Sequence, residues 1–350
     1  MVSKNKPVLF LFNLETDSDS EVLAAGLDWV RAFAKQCSRV YVFSTHVGVY
    51  ELPNNVFVRE LSGNGIFRKI RWFFNNLRAI YIYLKTRETK VVFHHMSQYT
   101  VIFPGIVFKF LCAKQGLWYA HAKSNLSLVI AENISKYNFT SAPGAFPVNS
   151  SNLNFLGQGI DTSKFRTAFV NNIENARSGI FSLGRINPVK NLEYLLLDLP
   201  DSCDLEIEFM GRLDDLKYVE TLHTQAAKRK LKLAISNALE YKKIPEYLIK
   251  WKYYYCGTNI AVDKAVVEAA SSGCIVISLN SNVLNLTGMA QIYKFYGRKI
   301  PQSLFDQILF FEELSENEIV IIQEKLSEAS SALNDVNSTT EKILESLMGK

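Results

Sequence analysis

Short apolar runs recur along the first half of the chain, separated by polar loops and by segments with helical spacing. Pro7–Phe12 is the first run, and Arg39–Ser44 and Val56–Glu60 follow it after a helical segment from about Glu21 to Cys37. Buried strands that alternate with amphipathic helices are typical of a parallel α/β sheet. The first half therefore predicts a doubly wound, Rossmann-like sheet.

The same rhythm restarts in the second half. Ser178–Leu183, Leu205–Met210 and Cys274–Ser278 are predicted as strands, and Ile292–Phe295 as a last short one. A length of 350 residues favours two domains, given about 150 residues per domain. We predict a first domain at 1–163 and a second domain with a helical tail at 164–350, their strand ends facing a central cleft.

Polar residues stand where several predicted strands end, which is where α/β sheets bind ligands. Asn13 and Thr16 belong to a polar loop after the first strand, and that loop has no glycine. The dinucleotide fingerprint is therefore absent, which argues against an NAD enzyme. His95, His121 and Lys123 follow later strands and are further candidates, although a single histidine is more often structural than chemical.

Composition limits the remaining classes. The chain is 48% hydrophobic and 21% charged, and five scattered cysteines without CxxC spacing fit a reducing compartment rather than a disulfide framework or a zinc site. It has no secretory signal and no run of eighteen apolar residues, so we expect a cytoplasmic protein that does not span a membrane.

Ile66–Lys90 is the most basic stretch, and aromatic residues are interleaved with its cations. This composition is typical of a helix that lies on an anionic membrane surface, which would make the protein peripheral on the inner face of the plasma membrane. It is equally typical of a helix that covers the sheet with its aromatics inward. Nucleic-acid binding is not expected, since no nucleic-acid-binding module is recognisable.

Two segments of the second half carry the candidate chemistry. Gly184, Arg185 and Lys190 lie on one loop directly before a predicted helix, an arrangement that can hold a diphosphate without a metal. Further along, Asp263 precedes a short helix in which Glu268 could accept hydrogen bonds from a ribose diol. Together these residues describe a nucleotide-diphosphate pocket, although the two cations taken alone are also compatible with a solvated loop.

The residues Gly184-Arg185-xxxx-Lys190-Asn191, followed by Glu268-Ala-Ala-Ser-Ser-Gly273, resemble the donor site of family 4 retaining glycosyltransferases of the GT-B fold. Segments of the first half are similar to a bacterial cell-surface-polysaccharide branch of that family, and the resemblance covers most of residues 7–295. These segments are Asn13–Trp29, Val40–Gly48, Leu117–Lys123 and Gly157–Phe165.

The resemblance implies that the second domain binds a nucleotide-diphosphate sugar and the first an acceptor. It implies transfer with retention, without a metal and without a dedicated protein base. His121, Arg185 and Lys190 are the implied catalytic residues. The implied donor-binding residues are Gly184, Arg185, Lys190, Asn191, Asp263, Lys264 and Glu268. The implied acceptor residues are Asn13, Thr16, His95 and Lys123.

The sequence departs from the family at one position. The family has two glutamates eight residues apart, and Ile260 stands where the first, a ligand of the donor sugar, is expected. Asp263 and Lys264 resemble a variant of the bacterial branch, so we expect that one of them takes over part of the sugar contact. The alternative is that Asp263 only caps the helix.

The expected function is therefore glycosyl transfer to a glycan or lipid-linked acceptor in surface polysaccharide (lipopolysaccharide or capsule) biosynthesis. The alternative is a non-catalytic GT-B domain that binds a glycan or a partner enzyme, since the missing glutamate weakens the sugar site and a fold alone does not establish activity.

Overall fold

The computed structural model describes residues 6–20, 26–63 and 65–349. The chain forms two compact units: the first extends to Asp161 and takes in the chain again from Asp335, and the second comprises Thr162–Asn334. Residues 21–25 of the predicted first helix lie outside the described residues.

Strands and helices alternate along the described chain, as the apolar pattern predicts. The strands are β1 Val8–Thr16, β2 Arg39–Val47, β3 Val56–Glu60, β4 Lys90–His95, β5 Gln115–Trp118, β6 Tyr137–Thr140, β7 Leu153–Phe155, β8 Ser178–Leu183, β9 Glu206–Met210, β10 Lys232–Ser236, β11 Trp251–Tyr255 and β12 Ile275–Ile277. The helices are α1 Gly26–Gln36, α2 Arg68–Lys85, α3 Gln98–Ile102, α4 Gly105–Phe110, α5 Leu126–Ile134, α6 Thr162–Val170, α7 Leu192–Asp198, α8 Leu216–Lys228, α9 Ile244–Leu248, α10 Lys264–Ser271, α11 Ser281–Thr287, α12 Met289–Phe295, α13 Leu304–Glu312, α14 Glu316–Asn334 and α15 Val336–Met348. Short 3₁₀ turns lie at Pro188–Lys190 and Tyr241–Lys243.

The first unit is built on a parallel seven-stranded sheet in the order β3-β2-β1-β4-β5-β6-β7. β1 lies inside the sheet, where Phe12 pairs with Phe43 of β2 and His94 of β4. Residues along β1 alternate between two cores, as the period of a strand requires. Leu9 and Leu11 face the core closed by α1 and α15, whereas Phe10 and Phe12 face the core closed by α2 and α4.

The C-terminal helix α15 belongs to the first unit, which differs from the predicted range of 164–350 for the second domain. Ile343, Leu344 and Leu347 are buried against the sheet beside α1. Gln36 of α1 donates a hydrogen bond of 2.7 Å to Thr340 Oγ1. An apolar stripe predicts that a helix is buried but does not state in which core, so the sequence pattern could not make this assignment.

The second unit holds a parallel five-stranded sheet in the order β10-β9-β8-β11-β12. The predicted strand at Ile292–Phe295 is wrong, because these residues end helix α12 and Met289, Ile292 and Tyr293 are buried at helical spacing. None of the described helices combines the length and the apolar character that a membrane span requires.

The placement of α15 predicts that Ile343→Ala lowers the free energy of unfolding of the first unit by about 2–5 kcal/mol, because the change leaves a cavity in its core. Urea unfolding followed by tryptophan fluorescence in a Trp251→Phe background measures this, since the three remaining tryptophans then all lie in the first unit. Lys342→Ala, at the exposed neighbouring position, is the control. An unchanged transition for Ile343→Ala would contradict the placement.

Candidate functional site

Two adjacent strands of the second unit end in close contact. Gly184 follows β8 and Gly211 follows β9, with positive φ values of 147° and 153°. A Cβ atom built on Gly211 would lie 1.9 Å from the carbonyl oxygen of Gly184, so no side chain fits there. Gly184 N–H donates to Met210 O at 2.9 Å and Ile186 N–H to Arg212 O at 2.8 Å. The loop after β8 is thereby fixed against the end of β9.

Lys190, at the end of this loop, meets two other predicted site residues. Its ammonium group forms an ion pair with the carboxylate of Asp263. A Cβ atom built on Gly184 would lie 3.2 Å from Lys190 Nζ, which shows that the amine lies over that glycine. The structure therefore brings Gly184, Lys190 and Asp263 together at the carboxyl ends of the strands.

Asp263 stands at the N-cap position of α10, but its side chain makes no capping hydrogen bond. Its carboxylate is committed to Lys190 instead. The sequence left open whether Asp263 caps the helix or contacts a ligand, and the observed side chain is directed to the candidate site. The capping alternative loses its physical basis, because an N-cap stabilises a helix by accepting from its first backbone N–H groups.

Asn191 holds the loop and the start of α7 in place. Its backbone is left-handed, with φ 48°. Its side-chain amide donates to Gly257 O at 2.7 Å, and Tyr255 OH donates to Asn191 O at 2.8 Å. A Cβ atom on Gly257 would lie 2.4 Å from Lys190 O, so this approach also depends on glycine. Asn191 is therefore placed as a positioning residue for Lys190.

Arg185 lies at the rim of the same loop. Its side chain is 58% exposed, and its guanidinium lies 3.9 Å from the carboxylate of Asp214. Hydrogen bonding from Arg212 keeps the pKa of Asp214 below its ordinary value, and Arg185 adds to this shift. Asp214, which the sequence analysis did not single out, thus offers Arg185 a charged partner outside the sheet.

Glu268 lies in the second turn of α10 and is buried, with 4% of its surface exposed. Tyr241 OH donates to Glu268 Oε1 at 2.9 Å. Tyr241 has no local sequence signal for this role, since it reaches Glu268 only through the fold. Lys264 is the first residue of α10 and is partly exposed, and Ile260 is 53% exposed before it. The Glu268 carboxylate, the start of α10 and the exposed Ile260 therefore all belong to the segment 260–268.

His121, in the first unit, is exposed and follows β5 in a constrained loop. Its backbone N–H donates to Ala145 O at 2.8 Å, and Lys123 N–H donates to His121 Nδ1 at 3.0 Å. Tyr119 OH donates to Lys123 O at 2.8 Å. Because Nδ1 accepts a hydrogen bond, the neutral ring carries its proton on Nε2, and that N–H is the group His121 offers to a ligand.

Two neighbouring histidines at the end of β4 differ in environment. His95 is partly exposed, and its ring lies 4.5 Å from that of Trp29. His94 is fully buried against Phe12 and bonded to Thr100 Oγ1 at 2.9 Å. Desolvation lowers the pKa of His94 to about 3, so it is neutral and structural. Of the pair, His95 remains the candidate for ligand binding.

Asn13 and Thr16 do not lie on a loop, because β1 continues to Thr16. Both side chains are buried. Asn13 Nδ2 donates to Thr16 Oγ1 at 3.2 Å, Thr16 and Ser44 hydroxyls are 2.5 Å apart, and Ser44 donates to Asn13 Oδ1. The prediction of a loop is therefore wrong for residues 13–16, which belong to β1. Either side chain would contact an acceptor directly only if this network opened.

One group of potential metal ligands occurs among the described residues. Glu15, Asp17 and His46 place ligand atoms within 4.8 Å of one another. The two carboxylates accept hydrogen bonds from the protein: Ser20 Oγ donates to Glu15 at 2.8 Å, and the Val49 N–H donates to Asp17 at 3.1 Å. Exposed acidic groups are common without a bound ion, so this group by itself assigns no metal.

No family model and no curated protein matches the chain at the level of sequence. Solved structures do match nearly its whole length. HepE of Anabaena in complex with UDP superposes with a TM-score of 0.69 at 13% identity, covering 98% of this chain and 100% of that one. Sucrose-phosphate synthase of Thermosynechococcus elongatus gives 0.67 at 12% identity, covering 98% and 100%. A glycosyltransferase of Rickettsia africae ESF-5 gives 0.66 at 13% identity, covering 99% and 98%.

These similarities confirm the predicted fold class, an α/β GT-B architecture of two Rossmann-like units each built on a parallel sheet. At such identities they establish the fold and not the activity.

The contact between the two strand ends predicts that Gly211→Ala destabilises the second unit by about 1–3 kcal/mol beyond any backbone strain, since the added methyl overlaps the Gly184 carbonyl. Gly184→Ala is the matched control, because Gly184 has nearly the same backbone angle, φ 147°, but its Cβ position meets only the flexible end of the Lys190 side chain, at 3.2 Å. Urea unfolding followed by Trp251 fluorescence, in a variant whose other tryptophans are phenylalanine, measures the difference. Equal losses for the two variants would contradict the described contact.

Proposed function

We propose that the protein is a retaining glycosyltransferase that moves a sugar from a nucleotide-diphosphate sugar to a glycan or lipid-linked acceptor. The observation that carries this proposal is the grouping of Gly184, Lys190 and Asp263 at the strand ends of a GT-B fold, with Glu268 on the helix that Asp263 begins. Strand ends of parallel sheets and helix starts are where nucleotides bind, because backbone N–H groups and the helix dipole favour anions there.

In this proposal, Arg185 and Lys190 hold the diphosphate. The side chain of Lys190 is only 16% exposed, so its charge acts in a medium of reduced dielectric constant. The guanidinium of Arg185 is largely exposed and can reach an incoming phosphate. The two cations stabilise the negative charge that develops on the leaving diphosphate, so this proposal requires no metal. On binding, the phosphate shares Lys190 with Asp263.

Glu268 holds the ribose in this proposal. Its buried carboxylate accepts a hydrogen bond from Tyr241 and can accept more, since a carboxylate has about four acceptor sites. Asp263 or Lys264 takes over part of the sugar contact that Ile260 cannot make, because an alkyl side chain accepts no hydrogen bond. The pairing of Asp263 with Lys190 supports its presence near the diphosphate end of the donor.

The acceptor hydroxyl attacks the anomeric carbon from the side of the leaving group, and the leaving phosphate takes its proton. His121, which offers its Nε2–H, contacts the transferred sugar, as the family resemblance implies. His95 and Lys123 line the acceptor side. Asn13 and Thr16 would support this side from within the sheet, since they are bonded to each other.

Two structurally similar proteins support the donor class and the pathway that we propose. HepE was crystallised with UDP and glucose and with UDP-glucose, and WaaB is described as a lipopolysaccharide outer core galactosyltransferase. For this chain we propose a donor of the nucleotide-sugar class and a role in the biosynthesis of surface polysaccharide, lipopolysaccharide or capsule.

We further propose that the protein acts in the cytoplasm, peripherally on the inner face of the plasma membrane. Ile66–Lys90 contains helix α2, which carries exposed cations and exposed aromatic residues. An anionic leaflet attracts such a helix, and a lipid-linked acceptor lies at that surface.

The diphosphate assignment predicts that Arg185→Ala and Lys190→Ala each lower kcat/KM by roughly tenfold to a hundredfold, because each removes a charge-assisted phosphate contact. Release of nucleoside diphosphate from a panel of nucleotide sugars, measured with and without EDTA, gives the rates and tests metal independence. Lys217→Ala and Lys228→Ala, exposed cations of α8 in the same unit, are the controls.

An effect below twofold would remove both cations from the diphosphate site. Loss of activity in EDTA would overturn metal independence and return attention to Glu15, Asp17 and His46. If the protein neither binds nor turns over any donor in the panel, the result would favour a non-catalytic GT-B domain.

The membrane assignment predicts that the triple variant Arg68→Glu, Lys69→Glu and Arg71→Glu loses most of its co-sedimentation with anionic vesicles, because three attractive charges become repulsive. Its donor hydrolysis should stay within twofold of the wild type, since the donor residues belong to the other unit. Unchanged sedimentation would mean that these cations form only a solvated helix face.

A further inference from the structure

Helix α2 has two apolar stripes. The inner stripe, Ala79, Ile80 and Tyr83, is buried against the first sheet. A second stripe faces solvent, and its members follow one another at helical spacing of three or four residues. They are Phe67, Ile70, Phe74, Leu77, Tyr81 and Leu84, each between 40% and 62% exposed. A helix that only covered a sheet would present polar residues on this side.

The charges on this helix are all of one sign. Apart from its tyrosines, the helix has five ionisable side chains, and all five are Arg or Lys. Arg68–Lys85 contains no Asp or Glu. The five cations are Arg68, Lys69, Arg71, Arg78 and Lys85. The predicted alternative, in which the aromatics of this stretch point inward, therefore holds for Tyr83 and not for Phe67, Phe74 or Tyr81.

The ends of two neighbouring helices expose further apolar side chains. Phe110, the last residue of α4, is 82% exposed, and Leu126, the first residue of α5, is 75% exposed. Ile106 of α4 and Ile130 of α5 are each 41% exposed. Both helices therefore present large apolar side chains to solvent.

Helices α2, α4 and α5 cover the same face of the sheet. Phe12 and Val92 contact the core beneath α2 and α4. Leu117 contacts the core beneath α5. Leu117 points to the same face as Phe12, because both are register partners of His94 in the parallel sheet. Tyr83 of α2 packs on Phe108 of α4 with ring centroids 5.0 Å apart, and Lys109 Nζ of α4 donates to Asn133 O of α5 at 2.6 Å, so the three helices lie side by side. Their outward sides therefore form one surface, which we call the outer helical surface.

We infer that the whole outer helical surface docks on an anionic lipid bilayer, and that Phe110 and Leu126, which lie at opposite ends of the neighbouring helices α4 and α5, insert below the headgroups. This inference rests on the peripheral membrane association proposed above and extends it to α4 and α5. Cations on α2 draw the protein to anionic headgroups, and the exposed apolar side chains gain by leaving water. A bilayer fits because a surface rich in both cations and large apolar groups matches the charge and the layered polarity of a membrane interface.

The two parts of the surface predict different dependence on salt. Attraction of the α2 cations is screened as ionic strength rises, whereas apolar insertion is not weakened by salt. Binding that survives at high salt should therefore depend on Phe110 and Leu126, and binding at low salt should depend on the cations as well.

The test compares full-length Phe110→Ser/Leu126→Ser with the control Phe295→Ser/Leu216→Ser. The control residues are well matched: Phe295 also ends a helix and is 66% exposed, and Leu216 also begins a helix after a side-chain N-cap and is 71% exposed. Both proteins are titrated with phosphatidylcholine vesicles with and without phosphatidylglycerol, at low and high salt. We expect the affinity of Phe110→Ser/Leu126→Ser for anionic vesicles to fall by roughly tenfold or more, since two large apolar side chains lose their burial. The control should change less than twofold.

Cys112 offers a second measurement that does not alter the surface. It is exposed two residues after Phe110, and a Cys203→Ser background leaves it as the accessible thiol, because Cys37, Cys256 and Cys274 are buried. An environment-sensitive dye on Cys112 should shift to shorter emission wavelengths when anionic vesicles are added. The same dye on a Leu216→Cys variant that lacks Cys112 should not shift.

Equal vesicle affinity for the two double variants, together with an unshifted Cys112 dye, would overturn the insertion of Phe110 and Leu126. A dimer in light scattering that Phe110→Ser/Leu126→Ser dissociates would overturn it in favour of a second copy of the chain as the occupant. Nucleotide-sugar hydrolysis by both variants separates this outcome from failure of the glycosyltransferase proposal, since hydrolysis does not depend on the vesicle.

Discussion

The candidate donor site depends on the close approach of two strand ends. Gly184 and Gly211 touch through backbone atoms, and a single methyl group at Gly211 would separate them. Because that contact fixes where the loop after β8 runs, it also fixes where Lys190 returns over Gly184 to meet Asp263. Asn191 then locks the end of the loop to the segment that leads into α10. A cation, a carboxylate and a helix start thus share one edge of the second sheet.

The first unit places its distinctive chemistry on its outer surface as well as at its strand ends. Its sheet is closed on one side by α1 and α15 and on the other by α2, α4 and α5. The second set of helices is apolar on its inner side and exposes large apolar side chains among cations on its outer side, where an ordinary water-facing layer would be polar. A transferase with a lipid-linked acceptor would gain from this arrangement, because the surface proposed to bind the membrane and the residues proposed to bind the acceptor belong to the same compact unit.

Sequence patterns were sufficient for the sheets and for the loop of the candidate donor site, and they failed where packing between distant segments decides the structure. Short strands and the positions of Arg185 and Lys190 follow from local periodicity and from glycine next to a strand end. The helix at Ile292–Phe295 was mistaken for a strand, because four apolar residues fit either period. Tyr241 could not be found, since it reaches Glu268 across 27 residues of sequence. The polar residues Asn13 and Thr16 looked like a loop because a buried hydrogen-bond network leaves no local sequence signal.

The central claim is that the loop after β8 and the start of α10 hold a nucleotide diphosphate. The most direct measurement is a crystal structure of the protein with a bound nucleoside diphosphate. The account predicts that Lys190 Nζ lies between the diphosphate and Asp263, that Arg185 turns toward a phosphate, and that the ribose hydroxyls donate to Glu268. A nucleotide bound elsewhere, or bound here with Glu268 still contacting only protein groups, would contradict it.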